Sequence, residues 1–260
     1  MAIIKTEAIV LKKQEFRETS LIVQFYTRDH GKISGILKGI RKDPRKFAST
    51  LEPFSHNEIV FYQKNHSTLH LVSQCDVRAN FSNIRQNILK TAIAGLMMEL
   101  VNSVMPVEDK NLEVFELAMA SLKELETTFN PEKVMMIFKI KILTISGFKP
   151  HFDSCVSCGQ KISGESKFSL NKGGLLCLKC FAKDYKARAI LKGTVASMLH
   201  IQRNHFLNNL SLGMHPEIKK ELELVLNSFL SFHLEKDFKA ERVLDQLKND
   251  IKRLKIPMEA

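Results

Sequence analysis

Leu21-Ile-Val-Gln-Phe-Tyr26, the turn-like Arg28-Asp-His-Gly31 and Ile33-Ser-Gly-Ile-Leu37 carry the clearest architectural signal in the chain. Two short runs rich in Val, Ile, Leu and Phe, joined by a polar turn ending in Gly, read as two strands. The pattern extends in both directions. Ile3 to Leu11 precedes it, and Ser55 to Phe61 and Leu69 to Val77 follow, set off by Lys42-Asp-Pro-Arg45 and Gln63-Lys-Asn-His66. Five short strands with no long helical pattern among them predict a small closed or half-closed barrel. A five-stranded OB-fold is the obvious candidate.

Beyond residue 80 the hydrophobic period changes. Phe81, Ile84, Ile88, Ala92, Leu96, Leu100 and Val104 recur at three- and four-residue steps, which predicts one helix from Ser82 or Asn83 to the stop at Pro106. Further helices are expected over about 111–128, from Asn130-Pro131 through Ile145, over about 192–203, from His215-Pro216 onward and over about 240–254. Gly147 and Pro150 close the third of these six. The expected class is multidomain α+β. Residues 1–80 form the barrel, 81–150 and 188–255 a helical domain, and 151–187 an inserted segment.

That insert carries the most specific chemistry in the chain. Cys155-Val-Ser-Cys158 and Cys177-Leu-Lys-Cys180 are two CxxC pairs separated by eighteen residues, a four-thiolate zinc spacing. Cys155, Cys158, Cys177 and Cys180 would close a tetrahedron around one structural Zn²⁺ and leave no open position for water or substrate. Two rival readings are weaker. Disulfides need an oxidising compartment, and the N-terminus shows no apolar secretion signal. A thioredoxin-like motif wants a βαβ context that the pattern does not supply. His151 stands close enough to substitute as a ligand, but four thiols make it unnecessary. Cys75, alone in a strand-like run, reads as a small buried hydrophobe.

Hydrophobic residues make up 44% of the 260, Trp is absent, and the formal charge is +11. Such a balance points to a polyanionic partner. The charge is uneven: residues 1–50 hold eleven Lys and Arg against five acids, and residues 149–190 hold eight against three. The densest run is Lys38-Gly-Ile-Arg-Lys-Asp-Pro-Arg-Lys46, whose Gly, Asp and Pro predict a projecting loop. Lys38, Arg41, Lys42, Arg45 and Lys46 suit a phosphate backbone read without base contacts, and Lys12, Lys13 and Arg17 extend the track. Phe16, Tyr26 and Phe47 are candidate stacking surfaces. A solvated charge run is the plain alternative for the loop, and core packing for each aromatic.

Several motifs together resemble the RecO family of bacterial DNA repair proteins. Lys5-Thr-Glu-Ala-Ile-Val-Leu11 is similar to the family's first strand, and His30-Gly-Lys-Ile-Ser34 leading into Lys38-Gly-Ile-Arg-Lys42 to its most recognisable stretch. Leu51-Glu-Pro-Phe54, Gly147-Phe-Lys-Pro-His-Phe-Asp-Ser-Cys155, Gly173-Gly-Leu-Leu-Cys177 and the closing His233 to Leu247 follow in the family's order. The resemblance implies a recombination mediator without enzymatic activity. It would bind single- and double-stranded DNA and anneal complementary strands. It would also bind RecR and the C-terminal tail of single-stranded DNA-binding protein, and serve RecA indirectly. The expected location is cytoplasmic and nucleoid-associated, with no membrane partner.

Catalytic alternatives lack their motifs: there is no Gly-rich phosphate loop, no HExxH, and no His-x-Glu paired with Pro-Cys-x-x-Cys. Two rival functions remain on sequence grounds. One is an RNA- or ribosome-associated OB protein, with a zinc segment that would also be structural. The other is a zinc-dependent nucleic-acid enzyme, which would need an open metal position.

Overall fold

The computed structural model describes residues 2–42, 51–64, 67–235 and 238–254. Five strands come first: β1 (Ala2–Phe16), β2 (Ser20–Thr27), β3 (Gly31–Leu37), β4 (His56–Gln63) and β5 (Leu69–Ala79). They close a barrel in the order β1-β2-β3-β5-β4, with β3 and β5 parallel and every other neighbour antiparallel. This is the OB-like barrel expected from the strand pattern. β1 makes closure possible because it serves two partners. Residues 2–9 pair with β4 and residues 8–16 with β2, across a register shift between Val10 and Lys12 that bends the strand.

Alternate side chains fill the interior: Ala8, Val10, Val23, Phe25, Ile33, Leu37, Ile59, Phe61, Val72 and Cys75 form one buried cluster. Cys75 is thus the buried hydrophobe its context suggested. Gly35 has no room for a side chain, since a Cβ there would meet Val72 at 2.5 Å.

The helices are α1 (Ser82–Gln86), α2 (Ile88–Val104), α3 (Leu112–Thr127), α4 (Pro131–Ile145), α5 (Lys192–Arg203), α6 (Phe206–Asn209), α7 (Pro216–His233) and α8 (Lys239–Leu254). The single helix expected from Ser82 to Val104 is two. Asn87 adopts extended backbone, and its side chain accepts from the Lys90 N–H, capping α2. Asn competes with the helix through its own side chain, and a three- to four-residue hydrophobic step survives a one-residue break. The four-residue α6 has too short a hydrophobic pattern to be legible.

The chain forms two compact units, residues 1–132 with 238–260, and residues 133–237. In the first, α2 packs on β1 and on α8, and the loop after α2 docks on the barrel. Gly31 (φ 61°) permits that docking, because a Cβ there would lie 2.1 Å from the Asp109 carbonyl oxygen. The Tyr26 hydroxyl donates to the Asn111 carbonyl, and Lys32 Nζ donates to that of Asn102.

In the second unit α4 is buried on nearly every side, from Val134 through Ile140. Lys139 donates to Asn227 on α7, and Lys141 to the Gln202 and Asn204 carbonyls at the end of α5. A small sheet in the order β7 (Gly174–Cys177), β6 (Ser166–Ser169), β8 (Arg188–Ala189) follows α4, with a 3-10 turn over Leu178–Lys183. Phe168 on β6 stacks on Phe152 and packs against Phe229 of α7, which attaches one face of this sheet to the helices.

Candidate nucleic-acid interface and four-thiol centre

Two separate basic segments meet at one end of the barrel. Beyond its bend, β1 runs on through Lys12 and Lys13 to a hairpin turn at Arg17, which adopts φ 53° with its guanidinium 5.2 Å from the Phe16 ring centroid. The turn after β3 is tied to this hairpin: the Arg41 N–H donates to the Thr19 carbonyl and its guanidinium to that of Arg17. Ile40 is buried in the barrel core, so Lys38, Arg41 and Lys42 on either side of it are turned outward. Gly39, at φ 76°, allows the tight reversal, closed by a bond from the Lys42 N–H to the Gly39 carbonyl.

Two of these cations have acidic neighbours that sequence reasoning missed. Lys13 pairs with Glu52 at 2.8 Å and Arg41 with Glu15 at 3.1 Å. No local signal could have marked them, since both pairs join residues far apart in the chain. Among the described residues, Lys12, Lys38 and Lys42 form no salt bridge. Arg45, Lys46 and Phe47 lie outside the described residues. Of the candidate stacking rings, Phe16 is half-buried at the hairpin tip. Tyr26 is wholly buried, and burial together with the nearby Asp109 raises its phenol far above the ordinary range, so it serves the core and not a base.

The four cysteines converge in the second unit. Their sulfurs all lie within 4.8 Å of one another, and Cys158 Sγ is 3.8 Å from Cys177 Sγ. A tetrahedron with bonds of about 2.3 Å has edges of about 3.8 Å, the spacing of the Cys158 and Cys177 sulfurs, and the whole set is close enough to close around one ion. All four thiols are free. Gly159 sits at φ 73° just after the first pair, and the Cys177 N–H points at Cys155 Sγ from 3.4 Å. Burial resists ionisation of Cys155, yet N–H donors from Cys177, Ser157 and Cys158 bring its thiol down to about 6. Cys180 is pushed up to about 11 by burial and by the neighbouring thiols of Cys158, Cys177 and Cys155. Four sulfurs this close cannot all ionise unless a cation joins them. His151 takes no part in the cluster; its Nε2 lies 2.7 Å from Ser154 Oγ. No helix among the described residues is long and apolar enough to cross a membrane.

Comparison with known proteins agrees with this architecture. Residues 1–81 match the profile described as recombination protein O N terminal, and residues 85–242 that described as recombination protein O C terminal. The DNA repair protein RecO of Alkaliphilus metalliredigens is 30% identical over 235 residues, covering 90% of this chain and 95% of that protein. The DNA repair protein RecO of Bacillus pumilus is 30% identical over 249 residues, covering 95% of each. A barrel followed by helices around a four-cysteine segment, matched along nearly its whole length, therefore places the chain in the RecO family of DNA repair and recombination proteins.

Proposed function

We propose that this chain binds single- and double-stranded DNA through the basic end of its barrel, anneals complementary strands, and helps load recombinase on strands coated by single-stranded DNA-binding protein. The observation that carries the reading is the meeting of the β1–β2 hairpin with the turn after β3. It brings Arg17 and Arg41 together, with exposed Lys12 and Lys13 on the strand leading into the hairpin, exposed Lys38 and Lys42 on the same turn, and Arg45 and Lys46 following in sequence. Such a rim follows phosphates without reading bases. Annealing needs no nucleophile or general base. It needs the mutual repulsion of two polyanions neutralised, which a chain of formal charge +11 supplies.

In this reading the Sγ atoms of Cys155, Cys158, Cys177 and Cys180 hold one Zn²⁺. The ion staples the segment and performs no chemistry on DNA, since four protein ligands fill its coordination shell. RecR and the tail of single-stranded DNA-binding protein are the proposed protein partners, on the family's account.

The test is the salt dependence of single-strand binding. Replacing Arg41, Lys42, Arg45 and Lys46 with Ala is expected to weaken binding and to flatten the log–log salt slope by about 0.7 for each phosphate no longer neutralised. An unchanged slope would remove the rim from the interface. A fluorescence annealing assay on protein-coated single strands checks the rest; a chain that neither binds nor anneals there is not a mediator.

A further inference from the structure

The zinc segment carries a second cationic surface that the barrel rim does not use. Residues 161–192 hold eight Lys and Arg against only Glu165 and Asp184. None of the eight forms a salt bridge with a described residue, whereas Lys13 and Arg41 on the rim do. Asp184 is engaged locally, accepting from the Ser169 hydroxyl and the Lys186 N–H.

Aromatic and apolar side chains lie among these cations. Tyr185 is 88% exposed, with Lys186 Nζ 5.8 Å from its ring centroid. Phe181 is half-buried over the thiol cluster, and Lys167 Nζ lies 4.8 Å from its ring. Leu178, 65% exposed, is three residues before Phe181 in the 3-10 turn, where positions i and i+3 eclipse. Leu178 and Phe181 thus share a face, with Lys179 and Lys183 exposed beside them. The opposite face of the small sheet is spent on Phe152 and α7, so this one looks outward.

We propose that the zinc segment is a second binding surface for single-stranded nucleic acid, with Tyr185 as the stacking platform and Lys179, Lys183 and Lys186 as the phosphate contacts. The chemistry selects this occupant. An exposed planar ring beside unpaired ammonium groups suits an unpaired base with its phosphate, and a duplex offers no free base face. An acidic peptide would want a concave apolar groove rimmed by cations, and Tyr185 instead stands clear of its surroundings. The proposal deepens the reading above, since it assumes the same class of ligand. It also supplies what annealing by one chain requires, namely a site for each of two strands.

The absence of Trp makes a direct test available. Tyr185→Trp introduces a single reporter whose emission is quenched when a base stacks on it. Oligothymidylate is expected to quench it, in a salt-reversible way, and to do so equally in a chain that also carries Lys38→Ala, Arg41→Ala and Lys42→Ala. In that background Tyr185→Ala, or the triple change Lys179→Ala, Lys183→Ala and Lys186→Ala, should weaken the remaining binding about tenfold. Metal content measured on each variant shows that the segment is folded.

Unaltered Trp emission while a labelled oligonucleotide binds would overturn the proposal. So would quenching by an acidic peptide or an anionic vesicle but not by the oligonucleotide, or equal quenching by a duplex. Failure of the rim reading would look different: the rim variant would bind as well as the parent.

Discussion

At the scale of single residues, two acids set how much of the rim's charge is available. Glu15 and Glu52 neutralise Arg41 and Lys13, and both pairs are solvent-exposed, where such bonds are worth about 0.2–1 kcal/mol. At the proposed interface, DNA phosphates would displace them cheaply. Glu15→Gln should therefore tighten single-strand binding about two- to fivefold at low salt, read by fluorescence anisotropy, with the advantage vanishing as salt rises. His56 carries a different kind of charge effect. Burial pushes its imidazole below the ordinary histidine range, against the opposing pull of Glu7 at 2.9 Å. A base lowered in the folded state binds fewer protons there than in the unfolded chain. The stability it permits is present above the unfolded histidine value of about 6.5 and declines as pH falls below it. Thermal unfolding across that range should show the decline in the parent and a shallower one in His56→Gln. An equal slope would show that His56 is not the group responsible.

At the scale of elements, the four-cysteine segment is where the proposed zinc would matter most for stability. β6 and β7 have four residues each and β8 two, and the cluster of Cys155, Leu176, Cys180 and Ala187 is small. A sheet of that size cannot close on its own apolar burial. Cys177→Ser, or removal of metal by a chelator, is expected to lower stability by more than about 3 kcal/mol, with metal content and the thermal midpoint falling together. Binding at the barrel rim should suffer later and less, because those residues belong to a different compact unit. Near-normal melting of a zinc-free variant would contradict the structural role. The break at Asn87 makes a related point. Its side chain on the Lys90 N–H fixes where α2 starts, a local choice invisible to the hydrophobic period that runs through it.

At the scale of the whole molecule, the strand pattern and the paired CxxC motifs were legible, because each is written in neighbouring residues. Alternation of Val, Ile and Phe with polar groups needs only the pleat, and the turn at Arg28 to Gly31 needs only local backbone preferences. The cysteine spacing likewise needed no tertiary information to suggest one tetrahedral centre. Three-dimensional closure settled the rest. It sent Tyr26, a candidate stacking ring, to the Asn111 carbonyl in the core. It also joined Arg17 to the turn holding Lys38 and Arg41, and set Glu15 and Glu52 beside the cations. Segments remote in sequence meet only when the chain closes on itself. The chemistry of this protein was therefore set by composition and spacing, while which of its charges stand free followed from pairing across the closed barrel.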